Sequence, residues 1–254
     1  MMSYLIYDIK SKTLLKKDHF SSKMSKVSTG SQVFDNFIGG YETDIITTVY
    51  GPSGSGKTNV CLIAAVNIAK DKKVIFIDTE GGFSVERLKQ ICPDYMKILP
   101  NILIFKPTTF NEQIKAVNKI KQIVGQSVGL IIVDTISMLY RLELGSSEDV
   151  YEVNRALGKQ IALLAEIGRK NNIPVILTNQ VYADFDDKNK VNMVGGDLLK
   201  YGSKCLIELQ KTPDNLRRAI VKKHRSIQEE EEITFKIVGN GLEAAKESKG
   251  FRLF

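Results

Sequence analysis

A glycine-rich octapeptide has the residue types and the spacing of a phosphate-binding loop. Residues 51–58 read GPSGSGKT and match G-x-x-x-x-G-K-[ST] in full. Glycines let backbone N–H groups curl around a phosphate, the lysine can reach the terminal phosphates, and the hydroxyl can join a Mg²⁺ shell. The alternative is a plain Gly/Ser-rich connector, but the octapeptide follows a predicted strand and precedes a predicted helix, as the motif requires. The pattern predicts a nucleotide-binding site formed by Gly51, Pro52, Ser53, Gly54, Ser55, Gly56, Lys57 and Thr58.

Two acidic residues at the ends of apolar segments could handle the metal ion and a water molecule. LIIVD (130–134) ends in Asp134, which could hold Mg²⁺ through water or could simply cap its strand. Glu80 follows VIFID (74–78), and a carboxylate there could deprotonate the water that attacks a γ-phosphate. Asp78 competes for that role, but it still lies in the strand end and is expected to be structural.

An amide side chain follows a further apolar segment. PVILTN (174–179) precedes Gln180, which could sense the γ-phosphate and pass that state to the loop beyond it. The alternative is a solvent-exposed amide at a strand end.

The elements that must position these residues alternate along the chain. Apolar runs and helical spacing predict strands at 46–50, 74–78, 102–105, 130–134 and 174–179, and helices at 57–70, 84–91, 110–124 and 148–170. Strands without helices follow at 205–210, 218–223 and 233–238. This order predicts an α/β fold with a mixed, doubly wound sheet and a C-terminal antiparallel β segment. Two predicted strands lie in the chain between the strand before the glycine-rich loop and the strand of Asp134. We therefore do not expect the latter two strands to be adjacent in the sheet.

Length and composition fit one large domain in an intracellular setting. The chain has 254 residues, of which 43% are hydrophobic, enough for a sizeable core. Its three cysteines form no C-x-x-C pair, which argues against a thiolate zinc site and for reduced thiols. No apolar run is long enough to span a bilayer. We expect a soluble, cytoplasmic protein without a membrane partner.

The net charge of +7 is concentrated in one part of the chain. Residues 188–225 contain ten Lys/Arg and three Asp/Glu, so this segment accounts for the whole excess. Such a segment could bind a polyanion, or it could be an ordinary lysine-rich surface.

Motifs in a fixed order connect the chain to a known family. It resembles the RecA/RadA recombinases, and most closely their short archaeal RadB-type members. The segments that carry the resemblance, between residues 28 and 226, are STGSQVFDNFIGG, VYGPSGSGKT, IDTEGGFSVERL, LIIVDTISMLYR, IPVILTNQV, MVGGDLLKYGSK and VKKHRS.

The resemblance implies a RecA-like P-loop NTPase core over residues 29–254, preceded by a short extension at 1–28. It further implies ATP and Mg²⁺ as cofactors. Lys57 and Thr58 would meet the phosphates and Mg²⁺. The other roles it implies are Asp134 as the Walker-B acid, Glu80 as the water-polarising glutamate and Gln180 as the switch glutamine.

The chain also departs from the family pattern. The helix-hairpin-helix domain that precedes the core in RadA is missing, and FSSK (20–23) lacks the alanine of a Phe-x-x-Ala tether. The first DNA-loop region, 141–149, is short and acidic and would repel phosphates unless Arg141 dominates locally. Autonomous filament formation is therefore not expected.

The second DNA-loop region, 183–204, becomes basic along its length. Its lysines could contact phosphates of DNA, with single strands expected, while Tyr182 or Phe185 could stack on a base. The alternative is a mobile surface loop. The candidate DNA-binding residues are Lys188, Lys190, Lys200 and Lys204.

The segment VKKHRS contains a Lys-x-Arg pair. Lys223 and Arg225 match the positions from which RadB-like and KaiC-like chains present cations to a neighbouring ATP. This predicts a homo-oligomer with ATP at the subunit interface. Lys222 and His224 would then face solvent.

These expectations favour a DNA repair and recombination accessory protein that binds ATP and DNA, hydrolyses ATP weakly or for regulation, and assists a RadA-type recombinase. One alternative is a true strand-exchange recombinase ATPase. The other is a KaiC-like ATPase that acts through protein partners without DNA.

Overall fold

A computed structural model describes residues 4–8, 13–17, 25–183 and 191–245 of the chain. The helices are α1 (Gln32–Ile38), α2 (Lys57–Ile68), α3 (Val85–Ile91), α4 (Tyr95–Ile98), α5 (Phe110–Ile123), α6 (Met138–Ser146), α7 (Val150–Asn171) and α8 (Gly196–Gly202), with 3₁₀ turns at Leu99–Asn101 and Pro213–Asn215. The strands are β1 (Tyr4–Asp8), β2 (Thr13–Lys17), β3 (Lys26–Val27), β4 (Tyr41–Glu42), β5 (Ile46–Tyr50), β6 (Lys73–Asp78), β7 (Ile102–Phe105), β8 (Val128–Asp134), β9 (Val175–Asn179), β10 (Val181–Ala183), β11 (Val191–Met193), β12 (Cys205–Lys211), β13 (Arg217–Lys223), β14 (Glu232–Val238) and β15 (Gly241–Ala244).

A nine-stranded mixed sheet organises the molecule. Its order is β15-β14-β13-β12-β5-β9-β8-β6-β7. The strands from β12 to β7 are parallel, whereas β13, β14 and β15 add to one side as an antiparallel meander. The α/β class and the C-terminal antiparallel segment are therefore confirmed.

Helices cover both faces of the sheet, and alternate residues of each central strand enter different cores. In β6, Val74 and Phe76 pack with α1, α2 and α3, while Ile75 and Ile77 pack with α5, α6 and α7. Strands buried on both faces must be apolar throughout, which is why these segments read as continuous hydrophobic runs.

The strand that separates the glycine-rich loop from Asp134 is β9. The two predicted strands that lie between them in the chain, β6 and β7, are instead on the far side of β8. The prediction that β5 and β8 are not neighbours is right, but the insertion comes from later in the chain. As a result, the carboxyl ends of β5, β9, β8 and β6 meet in that order along one edge of the sheet.

Two helices occupy the regions that sequence analysis treated as loops. Helix α6 takes up most of 141–149, and α8 lies within 183–204. No helix in the described part of the chain is long and apolar enough to cross a membrane.

Candidate functional site

Residues 51–56 connect β5 to α2 in a tight loop that requires glycine at two positions. A Cβ atom at Gly51 would lie 2.1 Å from the carbonyl oxygen of Leu209 in β12. Gly56 has φ of 107°, and a Cβ there would lie 3.1 Å from Ile237 in β14. The antiparallel strands thus pack directly against the loop, and larger residues would push it out of place.

Lys57 folds back over this loop. Its Nζ donates hydrogen bonds to the carbonyl oxygens of Gly51 (2.8 Å) and Pro52 (3.0 Å). Burial lowers the pKa of Lys57, while the negative charges of Glu80 and Asp134 oppose that shift. The hydroxyl of Ser55 is buried and has no hydrogen-bond partner among the described residues. A cation and a free hydroxyl in a glycine cradle are suited to a phosphate group.

Asp134 ends β8 next to the start of α2. Its Oδ1 accepts a hydrogen bond of 2.5 Å from the Thr178 hydroxyl, and Thr58 also hydrogen-bonds to this carboxylate. Burial raises the pKa of Asp134, and these two hydrogen bonds oppose the shift. A hydroxyl beside a carboxylate fits Mg²⁺, which keeps several waters and needs few protein ligands. No group of three or more His, Cys, Asp or Glu that could hold a metal occurs in the described residues.

Glu80 links the ends of three strands. Its Oε1 accepts hydrogen bonds from the Thr135 hydroxyl (2.9 Å), just after β8, and from Gln180 Nε2 (2.6 Å), just after β9. Glu80 itself lies two residues beyond β6. The structure therefore brings Glu80 and Gln180, which are 100 positions apart in the chain, into direct contact.

Asp78 holds the turn that carries Glu80. Its carboxylate accepts hydrogen bonds from the backbone N–H groups of Gly82 (2.9 Å) and Phe83 (3.1 Å). Both oxygens are used by the backbone, which agrees with the structural role expected for Asp78.

A cavity of about 530 Å³ is lined by some of these residues and by others that the sequence did not single out for this site. Arg141 from α6, Arg217 from β13 and Ile237 from β14 line it together with Asn59 and Val181. Arg217 Nε donates to the carbonyl oxygen of Gly54 at 3.0 Å. The only sequence signal for Arg217 is the basic excess of residues 188–225. The members predicted from sequence are Ser53, Gly54, Gly56, Lys57, Thr58, Glu80 and Gln180.

Lys223 and Arg225 lie elsewhere. Lys223 is the last residue of β13 and pairs with Leu206 at the start of β12, so both cations lie at the amino-terminal edge of the parallel strands, opposite the glycine-rich loop. Lys223 Nζ donates to the carbonyl oxygens of Lys200 (2.6 Å) and Ser203 (2.9 Å). Neither cation can reach the site in its own chain.

Arg225 forms ion pairs with two acids. Its Nε is 2.7 Å from Oε2 of Glu42, and its Nη2 is 2.9 Å from Oδ1 of Asp44. Partial burial would lower the pKa of Arg225, but the hydrogen bond to Asp44 and the charge of Glu42 outweigh it and raise the pKa. Lys222, which was expected to face solvent, is partly exposed, and its Nζ is 2.7 Å from the exposed Glu230 and 3.8 Å from the buried Glu208.

The four lysines proposed to bind DNA do not form one described surface. Lys188 and Lys190, like Phe185 and the FSSK segment, lie outside the described residues. Lys200 is exposed near the end of α8, and Lys204 precedes β12, beside Lys223. A second cavity of about 690 Å³ opens at this amino-terminal edge between Lys204, Tyr201 and Arg169. It has no glycine-rich loop and is not a candidate phosphate site.

Comparisons with known proteins agree with this geometry. A family model described as Rad51 matches residues 21–245. The DNA repair and recombination protein RadB of Methanobrevibacter smithii is 43% identical over 225 residues, covering 85% of this chain and 95% of that protein. RadB of Methanocaldococcus jannaschii is 42% identical over 208 residues, covering 81% and 96%. A crystal structure of the RadB recombinase has a TM-score of 0.74 and 35% identity, covering 86% of this chain and 99% of that one.

Proposed function

Since the chain belongs to the Rad51 family, we propose that it is an accessory protein of DNA repair and homologous recombination that binds ATP, Mg²⁺ and DNA and assists a RadA-type recombinase. The observation that supports a nucleotide site is that four strand ends meet at one edge of the sheet. There, residues of the glycine-rich loop line one cavity with Glu80 and Gln180, and Asp134 hydrogen-bonds to Thr58, which lines the same cavity.

Different residues of the candidate site would bind different parts of a triphosphate and its metal ion. The backbone N–H groups of residues 51–56 and the N-terminus of α2 would hold the phosphates. Lys57 would exchange its two carbonyl partners for phosphate oxygens, which a cation prefers. Thr58 and Asp134 would hold Mg²⁺. When bound, Mg²⁺ neutralises charge on the phosphates.

Glu80 and Gln180 support a hydrolytic role that responds to the second loop. Glu80 would accept a proton from water, and its contact with Gln180 ties it to the hairpin of β10 and β11. Because Gln180 lies at the root of that hairpin, a shift of the loop on DNA would move the amide that orients Glu80. We infer weak turnover that DNA regulates.

Two observations favour an accessory role over strand exchange. The first loop region is largely helix α6, and the residues exposed around its end include Glu143, Glu148 and Asp149. Such a surface repels DNA phosphates. In addition, the cations at the amino-terminal edge are occupied within the chain. In a homo-oligomer with ATP at the interface, Lys223 and Arg225 would have to release their partners to reach a neighbour's nucleotide.

Calorimetric titration of the full chain with ATP and Mg²⁺ tests the proposed site. Lys57→Ala should weaken ATP binding by at least about tenfold, because it removes a hydrogen bond from a charged group. Lys73→Ala, an exposed lysine at the start of β6, is the matched control and should bind as the wild type does. Equal affinities in all three proteins would refute the proposed nucleotide site.

A further inference from the structure

We propose that Arg141 contacts the terminal phosphate of a nucleotide bound in the same protomer. This inference rests on the proposed function and deepens it, because it names a cation of the site that needs no neighbouring subunit. The observations that carry it are the anchoring of helix α6, the cavity that Arg141 lines, and the lack of a competing partner for its guanidinium in the described part of the chain.

The first turn of α6 is fixed to the candidate site by side-chain hydrogen bonds. The Thr135 hydroxyl donates to Glu80 and accepts from the N–H of Met138 at 3.2 Å. The hydroxyl of Ser137 accepts from the N–H of Gln180 at 3.4 Å. Two residues just before the helix start, Thr135 and Ser137, are therefore connected to Glu80 and to Gln180. Any side chain one turn into α6 keeps a defined position relative to these two residues.

Arg141 is the residue at that position. Its backbone N–H donates to the carbonyl oxygen of Ser137 at 2.9 Å, which places it one turn from the anchored start. Its side chain lines the 530 Å³ cavity together with Glu80, Gln180 and Lys57. Arg141 is exposed, as are Leu142 and Glu143, but of these three residues only Arg141 lines the cavity.

The guanidinium of Arg141 has no hydrogen-bond or ion-pair partner among the described residues, although Glu80 lines the same cavity. Other arginines are engaged: Arg155 with Glu152, Arg218 with Gln210 and Glu232, and Arg225 with Glu42. Arg217, the other arginine that lines the cavity, donates a hydrogen bond from Nε to the carbonyl oxygen of Gly54. An unpaired guanidinium beside a phosphate loop can still make two parallel hydrogen bonds to an anion.

The position of Arg141 indicates which phosphate it meets. Residues 51–56 and the start of α2 surround the first phosphates that enter the loop. Glu80 and Gln180 would lie near the terminal phosphate and its attacking water. Arg141 lies one turn from the helix start that is bonded to these two residues, so its contact should distinguish ATP from ADP.

Binding measurements on Arg141→Ala and Arg141→Lys test the proposal without relying on turnover. In calorimetry with Mg²⁺, Arg141→Ala should bind ATP and a non-hydrolysable ATP analogue about tenfold more weakly, or about 1.4 kcal/mol. Its affinity for ADP should stay within about twofold. Arg141→Lys keeps the charge but not the planar guanidinium group. Its affinity for ATP should therefore fall between those of the wild type and Arg141→Ala. Arg155→Ala, an exposed arginine on α7 outside the cavity, is the matched control.

The outcomes separate this inference from the proposed function. If neither the wild type nor Lys57→Ala binds ATP, the proposed function fails. If the wild type binds ATP, Lys57→Ala loses it and Arg141→Ala keeps it, only the role of Arg141 is overturned. If Arg141→Ala lost equal affinity for ATP and for ADP, the role of Arg141 would also be overturned. The same holds if Arg141→Ala lost affinity only for a single-stranded oligonucleotide. Repeating the titration at dilutions where sedimentation shows a monomer must preserve the tenfold effect, since a contact within one protomer does not depend on assembly.

Discussion

Arg225 neutralises a carboxylate that folding has removed from water. Glu42 in β4 is 1% exposed, and its oxygens accept no well-directed hydrogen bond from the described residues, although Arg225 Nε lies 2.7 Å away. The ion pair still neutralises the carboxylate, because the attraction between charges depends little on direction. The role of Arg225 visible in the isolated chain is therefore to stabilise the fold.

Arg225→Ala should lower the free energy of unfolding by about 2–3 kcal/mol. The expected loss is below that for a fully buried pair, because the Arg225 side chain is 31% exposed. Urea denaturation monitored by circular dichroism measures it. The double variant Glu42→Gln/Arg225→Ala should recover part of the stability, since it no longer buries an unpaired charge. Arg155→Ala, which breaks only a surface pair, should change stability by less than about 1 kcal/mol.

At the scale of elements, periodicity identified the central strands and long helices to within about two residues, the usual error at element ends. These segments are long and strongly patterned, so local sequence decides them. Helix α8 was missed because glycines at both of its ends, Gly195 and Gly202, suggest a loop. The insertion of β9 between β5 and β8 depends on contacts between distant parts of the chain. No local pattern encodes it.

The sequence predicts residues of the candidate site where a recognisable motif lies at the end of a predicted strand. Lys57, Thr58, Asp134, Glu80 and Gln180 were all found in this way, and the structure brings them together. Arg217 was missed because it reaches Gly54 from an antiparallel strand that lies more than 150 positions later. The partners of Arg225 were missed because β4 has two residues, too few to show a period.

Helix α3 and the hairpin of β14 and β15 are joined by one side chain. Arg87 donates to the carbonyl oxygens of Val238 (2.8 Å) and Gly239 (2.9 Å) and to Asn59 in α2 (2.6 Å). Strand β15 is at the edge of the sheet and pairs only with β14 among the described strands. Arg87 therefore adds polar connections between the hairpin and helices α2 and α3, beside the apolar packing of Phe235 against Phe34 of α1.

Arg87→Ala should loosen this hairpin without unfolding the molecule. Hydrogen exchange of amides in β14 and β15 should accelerate by about tenfold or more, because charged hydrogen bonds to two carbonyl groups are lost. Amides of β8 and β9 should exchange as before. Lys89→Ala on the same helix removes a surface pair with Glu86 and a contact with the Tyr95 ring, neither of which involves the hairpin, and it provides the control. Uniform acceleration across the sheet would mean that Arg87 stabilises the whole fold instead.

The molecule as a whole has two chemically different edges. The carboxyl edge of the parallel strands carries the candidate nucleotide site. The amino-terminal edge carries Lys200, Lys204, Lys223 and Arg225, with the exposed ring of Tyr201 beside them. Helix α8 runs from one edge to the other, since it starts after the β10–β11 hairpin and ends before β12. The basic residues of the second loop region are thus divided between two described lysines at this edge, Lys200 and Lys204, and two that lie outside the described residues, Lys188 and Lys190.

That division makes the DNA proposal testable with the described lysines alone. If Lys200 and Lys204 contact phosphates, the double variant Lys200→Ala/Lys204→Ala should weaken binding of a single-stranded oligonucleotide. It should also reduce the slope of log affinity against log salt by about 1.4, at about 0.7 per phosphate contact. Fluorescence anisotropy at several salt concentrations measures both quantities.

The control must remove the same charge from another surface. Lys115→Ala/Lys119→Ala does so on the exposed face of α5, and it should leave the salt slope unchanged. A slope reduced equally by both pairs would indicate a general effect of net charge. An unchanged slope in the first pair would place the DNA contacts away from the amino-terminal edge. Only a loss confined to Lys200 and Lys204 supports DNA binding there, because phosphate contacts release counterions locally while net charge acts on the whole surface.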